Sequence, residues 1–236
     1  MTGQTPRADR ASHTRDAILT AAERLFAERG VVAVSSRQIS EAAGQGNNTA
    51  VGYHFGGKAG LVRAIVRRHA DGMDALRAGM LAGLGDSTDV REWCDCLVRP
   101  STEYLATLGG QSWYARFAAQ VMTDPVLRED VLDEALGRPT LRRAIEGLNR
   151  CLPALPPQVR LLRVEMARTL LVHSLAERER VLAQDPRADG VGWSEHTTAL
   201  VDVLVGLWLA PATPAAAGRP LAAPARPGPC PAGDPS

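Results

Sequence analysis

The sequence predicts an all-α fold, in which an N-terminal three-helix helix-turn-helix domain joins a larger helical domain. Three observations predict it. Apolar residues recur at helical spacing along nearly the whole chain, and no alternating strand pattern competes with them. From Thr14 to Lys58, two short helical patterns flank a glycine turn and lead into a polar and aromatic cluster. Charge is unevenly placed: up to residue 70 there are ten Lys and Arg against five Asp and Glu, while the rest carries 17 against 21. A basic head on an acidic body suits a polyanionic partner for the head alone, although solvated surface charge gives the same pattern.

Residues 1–11 are polar and read as a flexible arm. The first helix places Ile18, Leu19, Ala22, Leu25 and Phe26 on one apolar stripe, and Gly30 ends it. Ser35-Ser36-Arg37-Gln38 has the S-x-x-Q form of a capping box and starts a helix from about Ser36 to Ala43, with Ile39 inward and Arg37 outward. Gly44 permits the turn, Asn47 or Asn48 caps the next short helix, and that helix ends near Tyr53. Gly57 opens a fourth helix on which Leu61, Ile65, Met73, Leu76 and Met80 mark a buried stripe. Later breaks fall at Gly85-Asp86-Ser87, Gly109-Gly110, Asp124-Pro125, Pro153 to Pro157 and Asp185 to Gly192, with Pro125 and Pro157 as helix openers. The last long helices span about Gln158 to Ala183 and Ser194 to Leu209. The expected domains are therefore residues 12–58 and 59–210. Beyond them, residues 211–236 form an Ala/Pro/Gly tail, expected to be disordered, that holds half of the sixteen prolines.

Composition removes several function classes. Cys94, Cys96, Cys151 and Cys230 form no spaced pair of pairs, so neither a disulfide framework nor a metal site is expected. The N-terminus has no apolar h-region, and the run from Ala199 to Ala210 falls short of the ~20 residues of a membrane helix. A cytoplasmic protein without membrane contact is expected. There is no H-E-x-x-H, P-loop, G-x-G-x-x-G after a strand or nucleophile elbow, so no catalytic residue and no cofactor is expected.

The positive chemistry lies in the head. A helix-turn-helix inserts its second helix in the major groove, where Asn and Thr side chains hydrogen-bond base edges. Asn48 and Thr49 are placed for that. For Asn47, capping and base contact both stand, and Ala50 can touch a thymine methyl. Ser36 and Arg37 start the preceding helix and suit phosphate contact, with a surface pair to Glu41 as the alternative for Arg37. Tyr53, His54 and Lys58 cluster near a helix start, where phosphate binds, and Phe55 fills the core.

Residues 14–68 resemble the N-terminal DNA-binding domain of the TetR (tetracycline-repressor) family of bacterial transcriptional regulators. The likeness lies in Ala21-Ala22, Leu25-Phe26, Gly30, Ser36-Arg37-x-Ile39, Ala43-Gly44, Tyr53-His54-Phe55, Lys58 and Leu61. It implies an all-α homodimer whose first three helices read a double-stranded operator, and whose larger domain binds a small-molecule effector. Dimerisation through the last two long helices is implied as well. Gly44 to His54 is one residue longer than the family pattern, and Gly52 stands where a tyrosine is common. That shifts the expected phosphate contacts to Tyr53, His54 and Lys58. It also leaves a second reading, a helical small-molecule or partner-binding protein that has lost DNA reading.

In the larger domain, Trp93, Tyr104, Trp113, Tyr114, Phe117 and Met122 supply the surface an effector pocket needs, and Met166 and His173 share a face of the penultimate helix. Each also fits an ordinary core or interface. Leu170, Leu171, Leu175, Leu200, Val201, Leu204 and Trp208 form the stripe expected at a two-helix dimer face.

Overall fold

A computed structural model describes residues 6–45, 49–109, 112–185 and 190–213. Among these the chain forms ten helices and no strand: α1 (Pro6–Arg29), α2 (Ser36–Ala42), α3 (Ala50–Phe55), α4 (Lys58–Leu84), α5 (Val90–Leu108), α6 (Tyr114–Val121), α7 (Pro125–Leu136), α8 (Pro139–Cys151), α9 (Pro157–Gln184) and α10 (Trp193–Leu209). The tail expected to be disordered lies, but for its first three residues, outside the described residues. The expected arm is partly helical, because α1 begins at Pro6, a residue pre-set for the first helical position.

Local hydrogen bonds set most helix ends. Ser35 Oγ accepts from the Gln38 amide while Gln38 Oε1 accepts from the Ser35 amide at 2.8 Å, so the capping box is complete. Asp89 caps α5, and Asp124 caps α7 by accepting from the Val126 and Leu127 amides. The α7–α8 break at Gly137 to Pro139 is not among the expected breaks, although Pro139 opens α8 as Pro125 opens α7.

The helices enclose two apolar clusters. The first gathers Ile18, Leu19, Phe26, Ile39, Val51, Leu61 and Ile65 from α1–α4, and is completed by Phe117 and Val121 of α6 and by Leu127 and Val131 of α7. A boundary at residue 58 therefore cuts through one core. The second packs α5, α8, α9 and α10 around Trp93. Here α8 approaches so closely that a Cβ on Gly147 would lie 2.3 Å from the Trp93 ring, so only glycine fits.

On α4 the stripe is buried at Leu61 and Ile65, but Met73, Leu76 and Met80 are only half-buried. His69 and Arg77 take inward positions instead. Both polar groups have partners: His69 lies against Glu23 and Tyr104, and Arg77 donates to Asp74 at 2.7 Å.

A ladder of ion pairs joins α4 to α7 and the turn after it. Arg63 donates to Asp130 at 2.8 Å, Arg67 grips Glu134 through two bonds of 2.8 and 2.7 Å, and Arg138 reaches Asp71 at 2.9 Å and Asp74 at 2.6 Å. The hydrogen bond from Arg67, aided by its charge, holds the Glu134 carboxyl below the ordinary carboxylate range. Burial alone would raise Asp74, but hydrogen bonds from Arg138 and Thr140 and the charges of Arg138 and Arg77 outweigh it and hold that carboxyl low as well. Both groups titrate near pH 4 in the unfolded chain, so their stabilisation is complete above about pH 4 and is lost as pH falls through the lower folded values. Urea midpoints should decline below about pH 4, and less steeply in an Asp74→Asn, Glu134→Gln double variant. Identical acid profiles for the two proteins would refute the ladder's part.

Candidate nucleic-acid interface

The reader is built on the capping box. It fixes the start of α2, where Ser36 is half-buried and Arg37 points to solvent, with its Nε donating to Glu41 Oε1 at 2.8 Å. That hydrogen bond, then the charge of Glu41, raises the guanidinium pKa, so Arg37 stays a cation. Exposed pairs of this spacing contribute little in water, so a phosphate can replace the glutamate.

Gly44 ends the turn after α2, and Asn47 and Asn48 lie outside the described residues. Thr49 is the N-cap residue of α3 and is exposed; its carbonyl accepts from the Tyr53 amide at 2.9 Å. Val51 is buried, and Ala50 packs partly beneath the helix against the same core, so it faces inward more than the expected base contact requires. Thr49 and Tyr53, four residues apart, both look outward. Tyr53 is 86% exposed and meets the half-buried His54 edge-on at 5.0 Å. Phe55 packs against the core, with the Arg15 guanidinium 5.1 Å above its ring.

A tight junction follows. A Cβ on Gly60 would sit 1.8 Å from the Phe55 carbonyl oxygen, which requires glycine where α4 passes α3. Lys58, expected at a phosphate, is half-buried and donates to the Val31 carbonyl at 2.9 Å. Its ammonium ties the α1–α2 turn to the start of α4.

Of the residues expected to line an effector pocket, Tyr114 and Phe117 meet with ring centroids 6.1 Å apart and Met122 in the same cluster, whereas Trp93, Met166 and His173 lie elsewhere. Trp93 is fully buried in the second core, its indole donating to the Ser87 carbonyl at 2.9 Å. Phe117 is fully buried in the first core and stacked on Phe26 at 6.1 Å. Met122 is half-buried at the end of α6 and accepts from Arg168 at 3.6 Å, whereas Met166 and His173 are exposed on α9. Trp113 borders an open depression of about 520 Å³ that it shares with Asp16, Thr20 and Arg24 of α1 and Ala42 and Ala43 at the end of α2.

The expected dimer stripe also turns inward. Leu175, Leu200, Val201, Leu204 and Trp208 are buried in the chain's own core, with Leu170 and Leu171 packed partly against it. The outward faces of the same helices carry Leu162, Met166 and His173 on α9, and Ala199, Val203 and Gly206 on α10.

Two buried polar groupings centre on residues that were not among the expected sites, although Tyr104 and Tyr114 of the first were expected at a pocket. His69 Nε2 lies 2.8 Å from Glu23 Oε2, its Nδ1 lies 3.0 Å from the Tyr104 hydroxyl, and its ring stacks on Tyr114 at 4.1 Å. Burial first, and then the Glu23 charge, raises both tyrosine pKa values. A polar residue at 69, between Ile65 and Met73 on an apolar stripe, was the available signal. The second grouping centres on Glu179, a buried carboxylate on α9, and no local pattern announces it.

Comparison with known proteins bears on these surfaces. The family described as "Bacterial regulatory proteins, tetR family" matches residues 18–65, and "Tetracyclin repressor-like, C-terminal domain" matches residues 95–206. The chain belongs to the TetR family. The N-terminal match covers the second half of α1, all of α2 and α3, and the first turns of α4, while the C-terminal match runs from α5 into α10. One relative is the HTH-type transcriptional repressor AcnR of Corynebacterium glutamicum, 30% identical over 134 residues. That alignment spans 54% of this chain and 64% of AcnR, just under two thirds of its length. Similar solved structures include NalD of Pseudomonas aeruginosa, described as the secondary repressor of the MexAB-OprM multidrug efflux pump, at 22% identity and a TM-score of 0.48 over 84% of this chain and 98% of that one. PfmR of Thermus thermophilus, a TetR-family transcriptional regulator, aligns at 19% identity and a TM-score of 0.43, over 87% and 97%. No helix among the described residues is long and apolar enough to cross a membrane.

Lys58→Met should cost about 1–3 kcal/mol of stability, because the carbonyl of the buried Val31 loses a charged donor. Tyr53→Ala, on an exposed face, should stay within about 0.5 kcal/mol of wild type. Urea denaturation of the two variants checks the contrast, and equal losses would contradict the structural role given to Lys58.

Proposed function

We propose that the chain is a sequence-specific DNA-binding transcriptional regulator, a repressor that binds a pseudo-palindromic operator as a homodimer and responds to a small-molecule effector. The observation that carries the reading is the exposed pair of Thr49, at the N-cap, and Tyr53, on the outer face, of a six-residue helix whose other side is buried in the core. At about 1.5 Å rise per residue, such a helix spans about 9 Å and fits within a major groove about 12 Å wide. Only one or two turns reach the bases, so these residues, with Asn47 and Asn48 before them, carry sequence selection. Ser36, Arg37 and His54 flank that helix and serve the phosphates. The effector response is inferred from family membership.

For the dimer, the outward faces of α9 and α10 are the supporting observation. Met166 is 55% exposed and Val203 54%, and a four-helix arrangement of two copies would cover both.

Thr49→Ala and Tyr53→Ala should each weaken operator binding by about tenfold to a hundredfold, the loss typical of a base or positioning contact. Mobility shift on a duplex chosen from random sequence measures this, and undiminished affinity in the double variant would sink the assignment. Arg37→Ala should weaken all duplexes alike and reduce the salt slope by about one.

A Met166→Glu, Val203→Glu double variant should sediment as a monomer. It should also bind the full operator about 100-fold more weakly, since one particle no longer spans both half-sites. A variant that stays dimeric would exclude this face.

A further inference from the structure

The buried carboxylate of Glu179 has a task that neither core accounts for. It is 3% exposed on α9, and its partners all belong to the start of α6. One oxygen accepts from the Ser112 hydroxyl at 2.6 Å and the Ala115 amide at 3.1 Å; the other accepts from the Arg116 amide at 3.0 Å and the Arg116 Nε at 3.1 Å. Arg116 also donates to the Ser112 carbonyl at 2.7 Å, which closes the grouping. A helix start leaves amides without intrahelical partners, and Trp113, the N-cap residue of α6, offers no side-chain acceptor. The missing cap therefore comes from a distant helix, and its negative charge faces the positive end of α6.

The far side of α6 touches the reader. Phe117 stacks on Phe26 of α1, Tyr114 stacks on His69 of α4, and Phe117 and Val121 complete the core beneath α2 and α3. Apolar packing is non-directional and lets helices shift at small cost, whereas a carboxylate held by four directed bonds fixes both the position and the tilt of the helix it caps. On α9, Glu179 points inward while Met166 and His173 point outward. A continuous mechanical path thus runs from the outer face of α9 through Glu179 and α6 to α1.

We propose that Glu179 is the positioning residue that sets the separation of the two DNA readers in the dimer, by clamping α6 to α9. The proposal rests on the DNA-reading function proposed above. Its signature is a split between two kinds of selectivity. Base preference within a half-site belongs to α3 and stays, while discrimination between half-site spacings depends on the clamp and goes. One inserted base pair moves the second half-site by about 3.4 Å along the duplex, a displacement a fixed reader pair rejects.

The test uses the full chain with Glu179→Gln, in which an amide NH2 replaces one acceptor and faces donors. Wild type and variant are titrated against the selected operator, against versions with one base pair inserted or removed between half-sites, and against versions with a single base changed within a half-site. Amide hydrogen exchange is followed at Ala115 and Arg116. We expect exchange there to quicken by about tenfold or more, as for a lost charged hydrogen bond, and spacing discrimination to fall by a similar factor while half-site base preference is kept. Wild-type spacing discrimination in the variant overturns the proposal, as does parallel loss of spacing and base preference, which marks general loosening of the fold. If Glu179→Gln does not yield a folded dimer, Ser112→Ala removes one donor and keeps the charge, and it is judged by the same outcomes. A wild-type chain that enriches no duplex overturns the DNA reading itself, which is distinct from a selective wild type whose variant keeps its spacing preference.

Discussion

The stacking of Phe26 on Phe117 joins two parts of the chain that are some ninety residues apart, and the reader depends on it. Helices α1 to α3 are too few and too short to enclose a core: α2 has seven residues and α3 has six. Their apolar faces are covered by α4 and, from behind, by α6 and α7. A small three-helix unit with little interior of its own is only marginally stable. Docking it on the larger domain makes the reader firm, and it also makes the reader's position a property of that domain.

That dependence explains which parts were legible in the sequence. Helix ends are set by neighbours within four residues, so Ser35 with Gln38, Gly30, and Asp124 with Pro125 announced themselves. The exposed position of Arg37 also followed from helical spacing, since it lies opposite the buried Ile39 on its own short helix. Tertiary partners were not legible. Lys58 looked like a phosphate ligand because it stands at a helix start, yet the carbonyl it meets is 27 residues away. Trp93 and Phe117 looked alike as large rings, but periodicity cannot say that they belong to separate cores rather than to one cavity. Glu179 is the extreme case, because its partners lie more than sixty residues earlier and its own helix is charged on either side.

The stripe on α9 and α10 teaches a related lesson. A long helix packed in a protein and also facing a partner has two apolar sides, and hydropathy ranks the richer one first. Here the richer side, with Leu175, Leu200, Leu204 and Trp208, belongs to the protomer. The outer side is sparser and mixes small residues with a few larger ones, as would suit the proposed pairing surface, which must also stay in water on its own.

The ion pairs between α4 and the end of α7 carry one more consequence. Arg63 with Asp130, Arg67 with Glu134 and Asp71 with Arg138 are each separated by the same 67 positions, so the two segments run side by side in the same direction with their rungs in step. Sliding α4 by one turn one way would set Asp71 against Glu134, and sliding it the other way would set Arg67 against Arg138. Either move keeps one attractive pair, Arg67 with Asp130 or Arg63 with Glu134, but adds a like-charge contact, so the ladder favours the register observed. Against α7, a swing of α4 about this line of pairs keeps all three rungs, whereas a piston stroke along the helix axis breaks them.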